Sequence, residues 1–319
     1  MRNILITGGS GFIGTNTMEF YLSKGENILN IDIVEPLNPK YVKYWKKCDI
    51  NDFESLSKVV ADFKPTDIIH LAAATGLDVK DISHFKTNFD GLETLISVCN
   101  NSSTIKRAVF TSSLLVCERS YKPRNSTDYK PDSLYGESKV LSEKIVSKSN
   151  LRIKWSIVRP TAVWGPWFRS SYTTFFKLIL KGFYVNPGAK ELNKPATYVG
   201  NTVYMIDEIL KSDKSNKNVF YLADYPPYTI QEWSNTIASL GEKAKPITIP
   251  RFIINSFAKI GDFIKYIKLN SDPPLTSFRL SNIITGVDYD LKNTVEIVGD
   301  LPYDLNNAVD LTLKWMKKK

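Results

Sequence analysis

Tyr135 and Lys139 are the residues in this chain whose types and spacing most directly suggest chemistry. Four positions apart on a helix, they share one face. A free phenol titrates at about 10 and is a poor base at neutral pH. An ammonium beside it stabilises the phenolate and draws that value down. The pair can then take a proton from a hydroxyl and return it. The same spacing also arises where a half-buried tyrosine merely sits beside a solvated lysine. Other reactive types are sparse. Cys48, Cys99 and Cys117 are far apart and odd in number, which fits neither a disulfide framework nor a metal-ligand set. The only histidines are His70 and His84, so no metal is expected. A reducing, cytoplasmic setting fits these thiols.

A second constellation lies near the N-terminus. Residues 7–14 read Thr-Gly-Gly-Ser-Gly-Phe-Ile-Gly, between an apolar run and an amphipathic one. Gly8, Gly11 and Gly14 permit a tight turn and let the backbone approach a pyrophosphate. The following helix would aim its free N–H groups and positive dipole end at the phosphates. Asp32 ends the run Ile28-Leu29-Asn30-Ile31, about 20 residues on, where a carboxylate accepts from the adenosine ribose hydroxyls. It would repel the extra phosphate of NADP, and Ile33, Val34 and Glu35 supply no cation nearby. NAD is the expected cofactor.

Elements must carry these groups. Strands are expected at Asn3–Thr7, Asn27–Asp32, Asp67–Leu71, Arg107–Thr111 and Lys154–Arg159. Helices are expected at Gly14–Ser23, Phe53–Asp62, His84–Asn100 and Tyr135–Ser149. This alternation predicts an α/β fold, a doubly wound parallel sheet with helices on both faces. Continuous runs such as Ile4-Leu5-Ile6 suit strands covered on both sides. After Gly165-Pro166 the pattern loosens and prolines multiply. Residues 1–165 and 196–223 are assigned to the dinucleotide domain, with Val219–Leu222 returning to the main sheet. Residues 166–195 and 224–319 are assigned to a smaller, discontinuous substrate domain.

The net charge is +9 over 319 residues, but the basic residues are scattered, and no nucleic-acid motif accompanies them. The strand-like start of the chain does not read as a secretory leader. No apolar run is long enough to cross a bilayer. The stretch Phe252 to Leu269, apolar at helical spacing and broken by Lys259, Asp262, Lys265 and Lys268, reads as a domain helix first and a membrane-surface helix second.

Over nearly its whole length the chain resembles the NAD-dependent epimerase/dehydratase family, the extended short-chain dehydrogenases with a Rossmann fold. The markers, in order, are Gly8-Gly9-Ser10-Gly11-Phe12-Ile13-Gly14, Asp32, Asp49-Ile50, His70-Leu71-Ala72-Ala73, Asn88, Thr111-Ser112-Ser113, Tyr135-Gly136-Glu137-Ser138-Lys139, Arg159-Pro160 and Gly165-Pro166. The resemblance implies that Phe12 and Ile13 belong to the phosphate turn and that Asp49 and Ile50 border the adenine. It implies that Leu71, Ala72 and Ala73 line the pyrophosphate and the nicotinamide-side ribose. Asn88, Thr111 and Ser112 would serve the cofactor side, and Pro160 and Thr161 would lie near the nicotinamide. It implies a catalytic set of Ser113, Tyr135 and Lys139, in which Ser113 bonds the reacting oxygen and Lys139 the ribose.

The same comparison narrows the reaction. Relatives that dehydrate sugars carry Asp-Glu after the catalytic hydroxyl residue, and 3,5-epimerising relatives often carry Cys there. This chain has Leu114 and Leu115, which transfer no proton. Oxidation and reduction at one carbon remain, and an NAD-retaining nucleoside-diphosphate-sugar 4-epimerase is the expected activity. Arg169, Lys177 and Arg279 are the candidates for the substrate diphosphate, equally readable as solvated surface for the first two. Tyr198-Val199-Gly200-Asn201 resembles the 3β-hydroxysteroid dehydrogenase branch, which keeps an alcohol dehydrogenase as an alternative, beside a 4-keto-sugar reductase. A non-catalytic NAD-sensing protein is the remaining alternative. A homodimer through His84–Asn100 and Tyr135–Ser149 is possible by analogy.

Overall fold

The computed structural model describes residues 2–76, 79–118, 121–168, 171–188, 193–267, 273, 276, 277, 280 and 289–318. The strands are β1 (Asn3–Thr7), β2 (Asn27–Asp32), β3 (Trp45–Lys47), β4 (Asp67–His70), β5 (Arg107–Thr111), β6 (Lys154–Pro160), β7 (Ala162–Trp164), β8 (Asn186–Gly188), β9 (Asn193–Lys194), β10 (Ala196–Tyr198), β11 (Asn218–Leu222), β12 (Tyr228–Thr229) and β13 (Thr248–Pro250). The first eight α-helices are α1 (Phe12–Ser23), α2 (Phe53–Phe63), α3 (Lys86–Asn101), α4 (Leu134–Lys148), α5 (Ser171–Leu180), α6 (Val199–Lys211), α7 (Ile230–Leu240) and α8 (Arg251–Ile267). Helices Lys292–Val298 and Leu305–Lys317 follow.

Seven strands pair in parallel in the order β11-β6-β5-β4-β1-β2-β3. Alternate side chains leave opposite faces of a strand. Leu5 therefore packs with Leu56, Val59, Leu92 and Leu95 on the α2–α3 side. Its neighbours Ile4 and Ile6 pack with Met18, Tyr21, Met205 and Ile206 on the α1–α6 side. All three β1 residues are fully buried, which is why the run is continuously apolar. The doubly wound sheet and the return of Val219–Leu222 through β11 are as expected.

Strand β3 was not expected. Its sequence Trp-Lys-Lys carries no apolar pattern, and it is a strand because Asn30–Asp32 of β2 present an open edge to it. Helix α1 begins at Phe12 rather than Gly14, because Gly11 takes the cap position. The other expected helix ends differ by one or two residues, and a 3-10 turn at Ile82–Phe85 precedes α3.

Beside the sheet, β7 pairs with β10, β8 with β13 and β9 with β12. Trp164 of β7, Tyr198 of β10 and Tyr228 of β12 join Phe168, Phe176 and Trp233 in an aromatic core. Trp164 Nε1 donates to Tyr228 OH at 2.6 Å, so the buried indole is not left unpaired. Phe175 packs against this cluster, with its ring 4.9 Å from that of Trp233. Helix Lys292–Val298 packs instead on the sheet, where Val298 joins the α1–α6 core and Thr294 Oγ1 donates to the Tyr221 carbonyl.

Candidate functional site

The turn after β1 is built around Gly8, whose φ of +73° disfavours any side chain. A Cβ there would also sit 2.5 Å from the Ala72 amide nitrogen, so only glycine lets the two loops touch. Gly8 N donates to the Ile31 carbonyl, and Gly11 N to the Gly8 carbonyl. Gly11 caps α1 with no side chain, and the first helical turn holds no acid, so its N–H end is free for an anion. Phe12 and Ile13 reach away from the turn and pack against the aromatic core.

Asp32 closes β2 beside this turn. Its Oδ2 accepts from Ser10 N at 3.1 Å and its Oδ1 from Val34 N at 3.2 Å. Burial pushes its carboxyl up from the usual value, against the pull of these backbone donors. A glycine cradle under a helix end, with a carboxylate fixed at the neighbouring strand end, fits a dinucleotide. Of the two residues expected at the adenine, Asp49 is exposed and bonds Asn51, whereas Ile50 is buried in the core.

Leu71, Ala72 and Ala73 continue from β4 across the mouth of the turn. Thr7 ties this loop down: its carbonyl accepts from Leu71 N, and its Oγ1 from Ala72 N. Asn88 is a buried brace. It accepts from Ala74 N at 2.7 Å and donates to Ala74 O and to Ser138 Oγ, joining the loop to α4.

Tyr135 and Lys139 lie on α4, as their spacing predicts. Helix α4 starts at the Ser133 cap, and Gly136 lets it approach the Leu115 carbonyl, where a Cβ would collide. That contact brings Ser113 to Tyr135. The Ser113 side chain beside the phenol favours its charged form, but burial outweighs it and pushes Tyr135 up to about 12. The expected lowering of the phenol is therefore not met. Lys139 Nζ donates to the Thr111 carbonyl at 2.9 Å and lies 5.9 Å from the Tyr135 ring centroid. Burial draws Lys139 down to about 8, with Glu143 opposing. A cavity of about 10 Å³, room for one water, adjoins Lys139, His70, Asn88 and Glu143. Thr111 Oγ1 is buried nearby without a protein partner.

Glu143 escaped the sequence reading, although it continues the Tyr135–Lys139 stripe one turn further along α4. Its carboxylate accepts from Ser112 Oγ, Tyr129 OH and two Arg159 nitrogens. Arg159 and Glu143 are both fully buried, and Arg159 also donates to Tyr221 OH. This network joins β5, β6 and β11 to α4. Pro160 ends β6 next to Leu222 of β11, and Thr161 Oγ1 donates to the Leu222 carbonyl.

His70 gives a pH test. Burial, then the Lys139 charge, pushes it down to about 3, so it is neutral in the fold. Unfolded, it titrates at about 6.5. Below that value the unfolded chain takes up a proton that the folded chain refuses. Stability from His70 is therefore complete above about pH 6.5 and falls on acidification by about 1.4 kcal/mol per unit. Asp224, pushed up to about 6 by burial, acts in the opposite sense between about pH 4 and 6. Denaturation midpoints of wild type and His70→Gln from pH 7 to 5 isolate the histidine share. The variant should show the shallower loss, and equal slopes would exclude this role.

The substrate candidates are less informative. Lys177 is exposed on α5, and Arg169 and Arg279 lie outside the described residues. Cys117 is buried, its thiol pushed up by burial, and its Sγ bonds the Asp128 carbonyl. Asn201 is a buried strut that donates to Asp224 and the Tyr303 carbonyl. Among the described residues no cluster of three or more His, Cys, Asp or Glu could hold a metal.

A doubly wound sheet with this turn, this carboxylate and this Tyr-Lys helix has the layout of an extended short-chain dehydrogenase. The chain belongs to the NAD dependent epimerase/dehydratase family, whose profile matches residues 4–205. It is 25% identical over 320 residues to an Escherichia coli O157:H7 N-acetyl-alpha-D-glucosaminyl-diphospho-ditrans,octacis-undecaprenol 4-epimerase, covering 98% of this chain and 95% of the relative. It is also 25% identical to a Candida albicans decarboxylating sterol-4-alpha-carboxylate 3-dehydrogenase, covering 100% and 98%. The crystal structure of Thermotoga maritima UDP-glucose 4-epimerase with UDP-glucose superposes with a TM-score of 0.75 at 19% identity, covering 99% of both chains.

Proposed function

We propose that this chain is an NAD-dependent sugar 4-epimerase acting on a diphosphate-linked hexose, with a nucleotide as the expected carrier. The observation that carries this is Tyr135 held between Ser113 and Lys139 on a surface that goes on with Leu114 and Leu115. Leu114 and Leu115 transfer no proton, which suits chemistry at one hydroxyl-bearing carbon. A dinucleotide held by the Gly8–Gly14 turn and Asp32 would supply a hydride acceptor and donor at that carbon. Ser113 orients the reacting oxygen, and Tyr135, its phenolate favoured against burial by the Lys139 ammonium and by the positive charge that an oxidised nicotinamide would add, takes the proton. Lys139 keeps positive charge beside the phenol. After the ketone turns, Tyr135 gives the proton back, so no net redox change results.

Under this reading Asp32 and Asp49 hold the adenosine end, and Gly8, Gly11, Gly14 and the Leu71–Ala73 loop hold the phosphates. Asn88 positions that loop. Residues 1–165 and 196–223 form the dinucleotide unit, and residues 166–195 and 224–319 the sugar unit. Arg169, Lys177 and Arg279 remain the candidates for the substrate diphosphate. The free, buried cysteines support a reducing, cytoplasmic setting. A homodimer through α3 and α4 is part of the same proposal.

The sterol dehydrogenase relative keeps alive the reading of an alcohol dehydrogenase with exchangeable cofactor. The Tyr198–Asn201 motif does not favour it, because Asn201 bonds Asp224 and Tyr303 within the fold. The nucleotide released on denaturing the purified protein separates the two. Near-stoichiometric NAD, with interconversion of a UDP-hexose and its 4-epimer, is expected. An empty protein that reduces added NAD with a substrate alcohol would replace the epimerase by the dehydrogenase.

A further inference from the structure

Helix α8 is apolar on two sides, and only one of them is packed among the described residues. Ile254 and Ala258 face inward and pack with Leu280, beside Val185 and Ile249. Phe252, Ile260, Phe263 and Ile267 form a stripe on another side, widened by Phe257 and Tyr266. All six are exposed, Phe252 at 71%, Phe263 at 62% and Tyr266 at 83%. Exposed Phe183 and Ile247 lie on the segments that lead into this region, which the Asn186 N to Ile247 O hydrogen bond joins. A contiguous apolar surface of this kind marks an interaction site.

Charge identifies the partner. Residues 243–267 carry Lys243, Lys245, Arg251, Lys259 and Lys265, all exposed, against the single carboxylate of Asp262. Asp262 is engaged by the Ser277 amide at 3.0 Å. Aromatic and aliphatic side chains beside a basic border suit an anionic bilayer, into which such a helix sinks by about 5–10 Å while lying flat. No described helix is long and apolar enough to cross a membrane. A second copy of the chain fits less well. Self-contact would bring the lysines of one copy toward those of the other.

We propose that the outer face of α8 docks this protein on the surface of an anionic lipid bilayer. The proposal does not depend on which reaction the active site performs. The test is flotation of the full chain, with its dinucleotide bound, on vesicles of phosphatidylglycerol and phosphatidylcholine and on vesicles of phosphatidylcholine alone. Binding to the anionic vesicles is expected, weakening as salt rises. Phe252→Asp with Phe263→Asp should lower partitioning by roughly tenfold or more for each phenylalanine removed. Lys259→Glu, beside the stripe, should lower it by roughly fivefold or more, whereas Lys265→Glu, on the other side of the helix, should have the smaller effect. All four residues are exposed, so melting temperature and dinucleotide content should be preserved, which separates lost docking from misfolding. No flotation of the wild type, equal flotation on neutral vesicles, or unchanged flotation of the Phe variant would overturn the proposal. So would a dimer that the Phe variant dissociates in protein that ignores vesicles.

Discussion

Tyr135→Phe is expected to lower turnover by about 10²–10⁴-fold while leaving bound dinucleotide near wild-type level. The substitution removes one hydroxyl. The ring keeps its packing against Phe85, with centroids 5.8 Å apart, and the Ser113 hydroxyl still accepts from Leu115 N. Neither the turn at Gly8 nor the Asp32 carboxylate touches the phenol, so the cofactor site is untouched. Only the route for the substrate proton is lost. Paired measurements of turnover and of NAD released on denaturation check this. Unchanged turnover would assign the proton to another group, and unchanged biological output from an inactive variant would favour a sensing role for the bound NAD.

The largest stability effect is expected at Arg159. It is 0% exposed, and its side chain satisfies the Glu143 carboxylate from two nitrogens. Arg159→Met would leave that carboxylate buried and unpaired, at a cost of about 3–5 kcal/mol. The double variant Arg159→Met with Glu143→Leu removes both charges and should recover much of the loss. Because Glu143 also holds Ser112 and the far end of α4, the single variant should lose activity along with stability. Chemical denaturation of wild type, single and double variants provides the comparison. A single variant as stable as wild type would mean that water or relaxation already serves Glu143.

These two expectations differ in how far the sequence alone reached them. Tyr135 and Lys139 were visible because a four-residue spacing on a helix sets their relation without knowledge of the rest of the chain. The same holds for the Gly8–Gly14 turn, whose glycines and following helix are contiguous. Arg159 appeared only as a family marker, and Glu143 did not appear. Their pairing links residues 16 apart on different elements, and no local spacing encodes it. Asn88 is expected on the cofactor side, and only the structure shows that its side chain bonds Ala74 and Ser138. Asn201 stands in the sequence only as part of a run resembling the 3β-hydroxysteroid dehydrogenase branch, whereas its burial and its bonds to Asp224 and Tyr303 make it a strut.

What the sequence determined by itself was periodic or contiguous: the strand and helix order, the turn, the acid at the end of β2 and the Tyr-Lys face. Those features follow from local sterics and from burial of one side of each element. The tertiary structure decided which groups meet. It made Trp45–Lys47 a strand through the open edge of β2, and it raised the Tyr135 phenol by burying it. It also made Arg251–Ile267 a helix with an apolar face left uncovered by the described residues, since only the packed fold shows which of two apolar sides has a neighbour.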